Sequence, residues 1–167
     1  MKNFLKLSTL AVALAFAMIA TVVSTPAHAA QAQAAPGHRH IYSETADPRA
    51  DIAAALKQAR REHKRVILDF GGDWCPDCQV LDTYFHDPLN EPILQKNYIL
   101  VHVWIGHIDK NLDVAAQHGA PLKHGVPALA VLNAQGKTLY AQTTGQFSNM
   151  RGMDKASVTE FLNKWKA

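Results

Sequence analysis

The two cysteines of this 167-residue chain, Cys75 and Cys78, lie three positions apart. Residues 66–70 (VILDF), shortly before them, form an apolar, β-rich run that ends at two glycines. Such a run is typical of a buried central strand. Beyond Cys78, apolar residues continue at helical spacing as far as Phe85. The sequence therefore predicts that the first cysteine opens a helix just after a buried strand.

A disulfide across so short a loop would stabilise the fold by only about 2 kcal/mol, so a purely structural role is a poor explanation of the pair. At a helix start, unpaired backbone N–H groups and the positive end of the helix dipole stabilise a thiolate on Cys75. Cys78, one turn later, is placed to attack a mixed disulfide formed by Cys75. This arrangement predicts a thiol–disulfide exchange catalyst.

A zinc site is the alternative use of two closely spaced cysteines. Complete zinc sites usually bring a second pair of ligands at regular spacing, whereas the nine histidines of this chain are scattered along it. The residue after Cys78 is Gln79 rather than histidine, so the attachment pattern of a c-type haem is absent. The favoured interpretation of the cysteine pair therefore includes no metal site.

Composition limits the class of protein and its partners. With 48% hydrophobic and 19% charged residues, the chain can bury one domain core. The formal net charge of +3 falls to +1 if Lys2 and Lys6 are removed with a leader. A nearly neutral domain has no electrostatic footprint for nucleic acid or an anionic membrane, so we expect neither as a partner.

Residues 1–29 have the pattern of a cleavable export signal. Two lysines precede the apolar residues 7–23, and Ala27-His28-Ala29 provides small residues at the cleavage position. The alternative is a membrane anchor, for which this apolar run is near the lower length limit. We predict cleavage before Ala30, a flexible tether over residues 30–40, a domain over residues 41–167, and no membrane insertion of the mature chain.

Hydrophobic periodicity predicts an α/β fold. We expect a central mixed sheet of about four to five strands with helices on both faces. The predicted strands are residues 66–70, 98–105, 128–132 and 137–142, and the predicted helices are residues 47–63, 75–85, 89–96, 111–118 and 154–165.

At this point the sequence resembles the thioredoxin-like family, over roughly residues 41–165. The resemblance rests on Asp69-Phe70 followed by Trp74-Cys75-Pro76-Asp77-Cys78, on Gly125-Val126-Pro127, and on Gly145 after the last strand. It implies a thioredoxin fold, a cis peptide bond at Pro127 beside the active disulfide, and no bound cofactor. With its predicted export signal, this chain is similar to the periplasmic thioredoxin-like proteins. We therefore expect a periplasmic location.

The resemblance also implies roles for residues around the cysteines. Asp69 would be a buried acid that relays a proton to and from Cys78; the alternative is an acid at the end of its strand with access to water. The family often has a lysine near this acid on the next strand, where the present chain has only His102.

Other residues are candidates for substrate contact. Trp74 would shield the thiolate and contact substrate, or it could be ordinary core. A cis Pro127 would expose the Val126 backbone to an extended substrate segment. Residues 145–153 should border the cysteines and present Phe147, with two methionines, as an adaptable contact surface; the alternative is an ordinary surface loop.

The leading interpretation is an exported thiol–disulfide oxidoreductase that acts on protein disulfides and is reset by a membrane or soluble redox partner. Asp73 and Asp77 place negative charge near Cys75, which opposes the helix dipole and predicts a reducing couple, hence a reductase or isomerase. One alternative is a copper or zinc metallochaperone that uses Cys75, Cys78 and a histidine. Another is a scaffold that recognises one partner and hardly turns over.

Overall fold

The computed structural model describes residues 39–167. The predicted signal, residues 1–29, and most of the predicted tether lie outside the described residues. Within residues 39–167, no helix is long and apolar enough to span a membrane. The described part includes Arg39, whose guanidinium lies 2.8 Å from the Asp82 carboxylate. Contacts of the domain therefore extend to two residues before the predicted boundary at Ile41.

Nine helices and strands make up the described part. The strands are β1 (Arg65–Gly71), β2 (Tyr98–Trp104), β3 (Ala128–Leu132) and β4 (Thr138–Ala141). The helices are α1 (Pro48–Glu62), α2 (Pro76–Phe85), α3 (Glu91–Asn97), α4 (Leu112–Gln117) and α5 (Ala156–Trp165), with short 3-10 helices at Leu122–His124 and Met150–Gly152.

The four strands form one mixed sheet in the order β2-β1-β3-β4. β1 pairs in parallel with β2 and antiparallel with β3, and β3 pairs antiparallel with β4. This confirms the predicted fold class. Every residue of β1 after Arg65 is buried, as expected of a central strand with both faces covered. The register places Asp69 of β1 between His102 of β2 and Leu129 of β3.

Helices cover both faces of the sheet because the side chains of β1 alternate between them. Val66, Leu68 and Phe70 belong to the core cluster that also contains α1 residues. Ile67 belongs to a second cluster, built with side chains from α2, α3 and α5. Burying each large aliphatic or aromatic side chain contributes about 1.5–3 kcal/mol, so these two clusters fix α2 against the sheet.

Helix boundaries differ from the sequence-based expectations by one or two residues, and the turns explain the differences. α3 begins at Glu91 rather than Leu89, because the Asn90 and Leu89 N–H groups donate to Asp87 in a turn. α5 begins at Ala156, whose N–H donates to the Asp154 carboxylate at 2.8 Å. Asp154 thus satisfies an N-terminal donor of this helix, as its position predicted.

Candidate active site

The two cysteines form a disulfide at the N-terminus of α2. Cys75 is the N-cap residue and Pro76 occupies the first turn, where its missing N–H costs nothing. The Cys75 Sγ accepts the Cys78 N–H at 3.2 Å. A backbone N–H group in the first turn of α2 therefore donates to the Cys75 sulfur. Cys75 is 3% exposed and Cys78 is fully buried, so the two sulfurs differ little in accessibility in the disulfide form.

The turn before β3 lies against the first cysteine. The peptide bond between Val126 and Pro127 is cis, and the Val126 carbonyl oxygen is 3.6 Å from the Cys75 Sγ. Gln142, which follows β4, donates from its Nε2 to the Pro127 carbonyl at 3.0 Å. The fold thus brings Cys75 together with Val126 and Pro127, which lie far from it in the sequence.

Trp74 lies on the surface beside the disulfide rather than in the core. It is 38% exposed, and its indole Nε1 donates to the Gly106 carbonyl at 2.6 Å. The ring stacks on His107 with centroids 5.2 Å apart. These contacts hold a large aromatic surface open to solvent directly before Cys75, where a partner could pack on it.

Asp69 is fully buried, so the alternative of a solvated acid at the strand end is wrong. Its Oδ2 accepts the Tyr42 hydroxyl at 2.7 Å and lies 2.9 Å from the His102 Nδ1. A buried carboxylate is costly unless it has such partners. Tyr42 was not among the predicted site residues, because nothing in its local sequence relates it to Asp69.

His102 faces Asp69 from the neighbouring strand, at the place where the family often has lysine. Burial lowers the pKa of His102, but the hydrogen bond and charge of Asp69 outweigh burial, and the net pKa is raised above 6.5. The folded protein therefore holds the His102 proton more tightly than the unfolded chain does. Below the ordinary histidine pKa of 6.5, the Asp69–His102 pair stabilises the fold fully. This stabilisation is lost as pH rises through the raised pKa of His102 in the folded protein.

We predict that His102→Asn destabilises the oxidised protein more at about pH 6 than at about pH 9, since a larger fraction of His102 is protonated at the lower pH. Urea unfolding at both pH values measures the difference. In an Asp69→Asn background the pH dependence of the His102→Asn effect should disappear, because the charged partner is gone. An equal loss at both pH values would contradict a protonated His102 in the fold.

The segment Gly145–Met153 borders the active site, as expected. Gly145 has φ +74°, and a side chain there would meet the His124 carbonyl oxygen at 2.6 Å. A side chain at Gly125 would meet the Ser148 Cβ at 2.9 Å. Only glycine fits at Gly145, where both the backbone conformation and the close approach exclude a Cβ. The segment therefore packs directly on the turn that leads to Pro127.

The prediction that Phe147 contacts substrate is not supported by its position. Phe147 is 5% exposed, and its ring meets Phe161 of α5 edge-on at 5.1 Å between centroids. Met150 is fully buried in the same core cluster, and Met153 is half-buried against it. The apolar side chains of this segment point inward because they complete the core between α2 and α5. They do not form an exposed contact surface.

The two carboxylates expected to oppose the helix dipole are both engaged by other groups. Asp77 accepts the Arg151 backbone N–H at 2.9 Å and pairs with its guanidinium at 3.2 Å. Asp73 accepts the backbone N–H groups of Ile41 and Tyr42 at 2.8 and 3.0 Å. Burial raises the pKa of Asp73, but these donors and His40 outweigh it, so the net pKa lies below 3.8. The charge of Asp77 on Cys75 is therefore partly cancelled by Arg151.

Comparison with known proteins agrees with this geometry. The model of the thioredoxin-like family matches residues 47–134. A search of curated proteins gives no match. Among solved structures, the disulphide isomerase from Xylella fastidiosa Temecula1 is 32% identical with a TM-score of 0.72, and the alignment covers 75% of this chain and 96% of that one.

Two more distant structures share the fold. The oxidised C-terminal domain of Neisseria meningitidis DsbD is 18% identical with a TM-score of 0.52, over 71% of this chain and 96% of that one. A thioredoxin from Thermus thermophilus is 18% identical with a TM-score of 0.50, over 67% and 81%. The family match includes Asp69, both cysteines and Pro127. The chain therefore belongs to the thioredoxin-like family, and its Cys75–Cys78 pair is that of a thiol–disulfide oxidoreductase.

Proposed function

We propose that this protein is an exported thiol–disulfide oxidoreductase that reduces or isomerises disulfides in proteins of the periplasm. The observation that carries the proposal is the position of Cys75. Its sulfur accepts an N–H at the start of α2, lies beside the Val126 carbonyl, and follows an exposed tryptophan. A thiolate formed there is stabilised by the helix and is next to a surface on which a partner can dock.

The reaction proceeds through a mixed disulfide. The Cys75 thiolate attacks one sulfur of the substrate disulfide, and the other substrate sulfur leaves as a thiolate. Cys78 then loses its proton and attacks the Cys75 sulfur, which breaks the bond between Cys75 and the substrate. The substrate gains two electrons, and the Cys75–Cys78 disulfide forms. The cysteine pair itself carries the electrons, so the reaction requires no bound cofactor.

Repeated turnover in the reducing direction requires a source of electrons. A membrane or soluble redox partner must reduce the Cys75–Cys78 disulfide after each cycle, since an oxidising compartment does not supply thiols. The name of the Xylella relative, disulphide isomerase, supports the same direction. Substrate contact is assigned to Trp74, which directly precedes Cys75, and to the Val126 backbone and Pro127, whose turn lies against the Cys75 sulfur.

An assay on a protein disulfide tests this function. The reduced protein should reduce the interchain disulfides of insulin with a dithiol as electron source, and Cys75→Ser should reduce the rate to that of the dithiol alone. The alternative is a metal-binding module. In residues 39–167, no group of three His, Cys, Asp or Glu side chains could hold a metal. Stoichiometric metal on the purified protein without exchange activity would favour the alternative.

The direction of electron flow depends on the charge that Cys75 experiences. The negative charge of Asp77 disfavours the Cys75 thiolate, and the positive charge of Arg151 partly cancels this effect. Removing one partner of the pair therefore leaves the charge of the other uncompensated. We predict that Asp77→Asn raises the reduction potential and Arg151→Gln lowers it, each by about 5–20 mV, because a partly exposed ion pair contributes about 0.2–1 kcal/mol.

Equilibration with glutathione measures these potentials. A wild-type potential above about −150 mV would make the protein an oxidant and overturn the proposed direction. Shifts of the same sign in both variants would show that neighbouring charge does not control this thiolate.

A further inference from the structure

The residues before α1 form an ordered strap over the start of α2. In this N-terminal strap, residues 39–43, the Arg39 backbone exchanges hydrogen bonds with the Gln79 side chain at 3.1 and 2.9 Å. The Ile41 and Tyr42 N–H groups donate to Asp73. Side chains on both sides of the cysteine motif thus fix the strap, and with it the backbone position of Tyr42.

This anchoring places the Tyr42 hydroxyl between the buried acid and the buried cysteine. The hydroxyl donates to the Asp69 Oδ2 at 2.7 Å. A Cβ added at Gly71 would lie 2.5 Å from the Tyr42 Oη and 2.8 Å from the Cys78 Sγ. The phenol oxygen and the sulfur therefore both border the space above the Gly71 Cα, which remains open only because residue 71 has no side chain.

The same carboxylate has a second partner that reaches solvent. His102 Nδ1 lies 2.9 Å from the Asp69 Oδ2, and the His102 side chain is 21% exposed whereas that of Asp69 is fully buried. His102 lines an open groove between the N-terminal strap, α1 and β2, together with Ser43, Asp51 and Gln58. His102 thus connects the buried Asp69 to water.

We propose that the Tyr42 hydroxyl passes the proton between Cys78 and Asp69, and that His102 passes it between Asp69 and water in this groove. The proposal rests on the proposed thiol–disulfide exchange and concerns its second step. As Cys78 attacks the mixed disulfide, its proton goes to the Tyr42 oxygen while the Tyr42 proton goes to Asp69. Protonated His102 releases its proton to water and then takes the proton from Asp69, which restores the starting charges, and the substrate leaves as a thiolate.

The electrostatic surroundings of this path come from charged side chains on several elements. Asp69 and His102 face it from β1 and β2, Asp73 faces it from the loop before α2, and Asp82 faces it from α2. Asp51 of α1 lines the groove at its outer end. Arg39 pairs with Asp82. The carboxylates can accept the proton that leaves Cys78, but the same negative charges disfavour a free Cys78 thiolate. The proton is therefore transferred while Cys78 attacks the mixed disulfide, and no free thiolate accumulates.

Replacing Tyr42 with phenylalanine tests the hydroxyl alone, since the ring that packs edge-on against His102 is retained. Reduced full-length mature protein is mixed with oxidised glutathione, and quenched samples are analysed by mass for the glutathione adduct on Cys75 and for the internal disulfide. Tyr42→Phe should slow the loss of the adduct about 10-fold or more near pH 7. Formation of the adduct should proceed at the wild-type rate.

A structural role and a proton-transfer role differ in their pH profiles. The deficit of Tyr42→Phe should shrink at high pH, where hydroxide can deprotonate Cys78 directly. The matched control is Tyr98→Phe, which removes another buried phenol hydroxyl, one that donates to the Leu162 carbonyl. This control should leave both steps unchanged.

Failure of the relay is distinguishable from failure of the proposed function. A wild-type rate of adduct loss in Tyr42→Phe would overturn the role of Tyr42 while leaving exchange intact. No adduct in the wild-type protein would overturn the proposed function itself. Should Tyr42→Phe fail to fold, His102→Asn tests the outer half of the path, and an unchanged rate of adduct loss in that variant would overturn the relay.

Discussion

Replacing Cys78 with alanine should convert the protein into one that captures its substrates as stable mixed disulfides through Cys75. The variant keeps the residue 78 backbone N–H that donates to the Cys75 sulfur, so the first attack is retained. It lacks the buried sulfur that would release the substrate. Turnover should fall about a thousand-fold or more, because the two cysteines act as one unit. Non-reducing electrophoresis and mass spectrometry of the captured species measure the result.

The reciprocal variant, Cys75→Ala, is the control and should capture little. Both sulfurs are buried in the disulfide form, so exposure alone does not assign their roles. The assignment depends on the helix cap at Cys75 and on the Val126 carbonyl and Trp74 around it. Better capture by Cys75→Ala would show that Cys78 makes the first attack.

The sheet and the helix that carries the cysteines were predictable because their sequence patterns are local. β3 was expected at residues 128–132 and lies there, and β1 extends the expected run 66–70 by one residue at each end. In each case the strand is a run of apolar residues bounded by turn residues, and such runs are buried whatever surrounds them. The predicted helix at the cysteines is confirmed, with α2 over Pro76–Phe85, because its apolar residues recur at helical spacing.

The partners of the acidic residues were not predictable, because each contact joins side chains that are distant in sequence. Tyr42 and Asp69 are 27 positions apart, and Asp77 and Arg151 are 74 apart. A lone tyrosine or arginine in a connecting segment has no periodicity that would indicate its partner. Tyr42 lies only one residue inside the predicted domain boundary, and its local sequence does not relate it to Asp69. Only the folded chain shows that these side chains meet at the cysteine motif.

The prediction that the apolar side chains of the segment 145–153 are exposed was wrong for a related reason. In a helix or strand, spacing tells which side chains point inward. This segment is irregular, so its sequence allows Phe147 and Met150 to face either solvent or the core. The prediction of an exposed contact surface rested on three large apolar residues in a polar, glycine-bearing stretch near the cysteines. The segment does lie close to the cysteines, but the side chains of Phe147 and Met150 belong to the core cluster that packs against α2.

Replacing Met150 with alanine should therefore destabilise the protein by about 2–5 kcal/mol, the usual loss for a large buried side chain. Met150 is fully buried in the cluster that contains Leu81 and Phe85 of α2, so the cavity would lie beneath the helix that bears the cysteines. Denaturant unfolding of the oxidised protein at constant pH measures this loss. The matched control is Met153→Ala, a half-buried methionine of the same segment, which should cost less than half as much.

The functional readout separates a core role from a contact role. If Met150 supports α2 only through packing, then Met150→Ala should exchange with insulin and with a small dithiol at nearly equal fractions of the wild-type rates, under conditions where the variant is folded. A contact surface would behave differently, because only the protein substrate would sense its loss. A cost below about 1 kcal/mol, combined with slower exchange on insulin alone, would return this segment to substrate recognition.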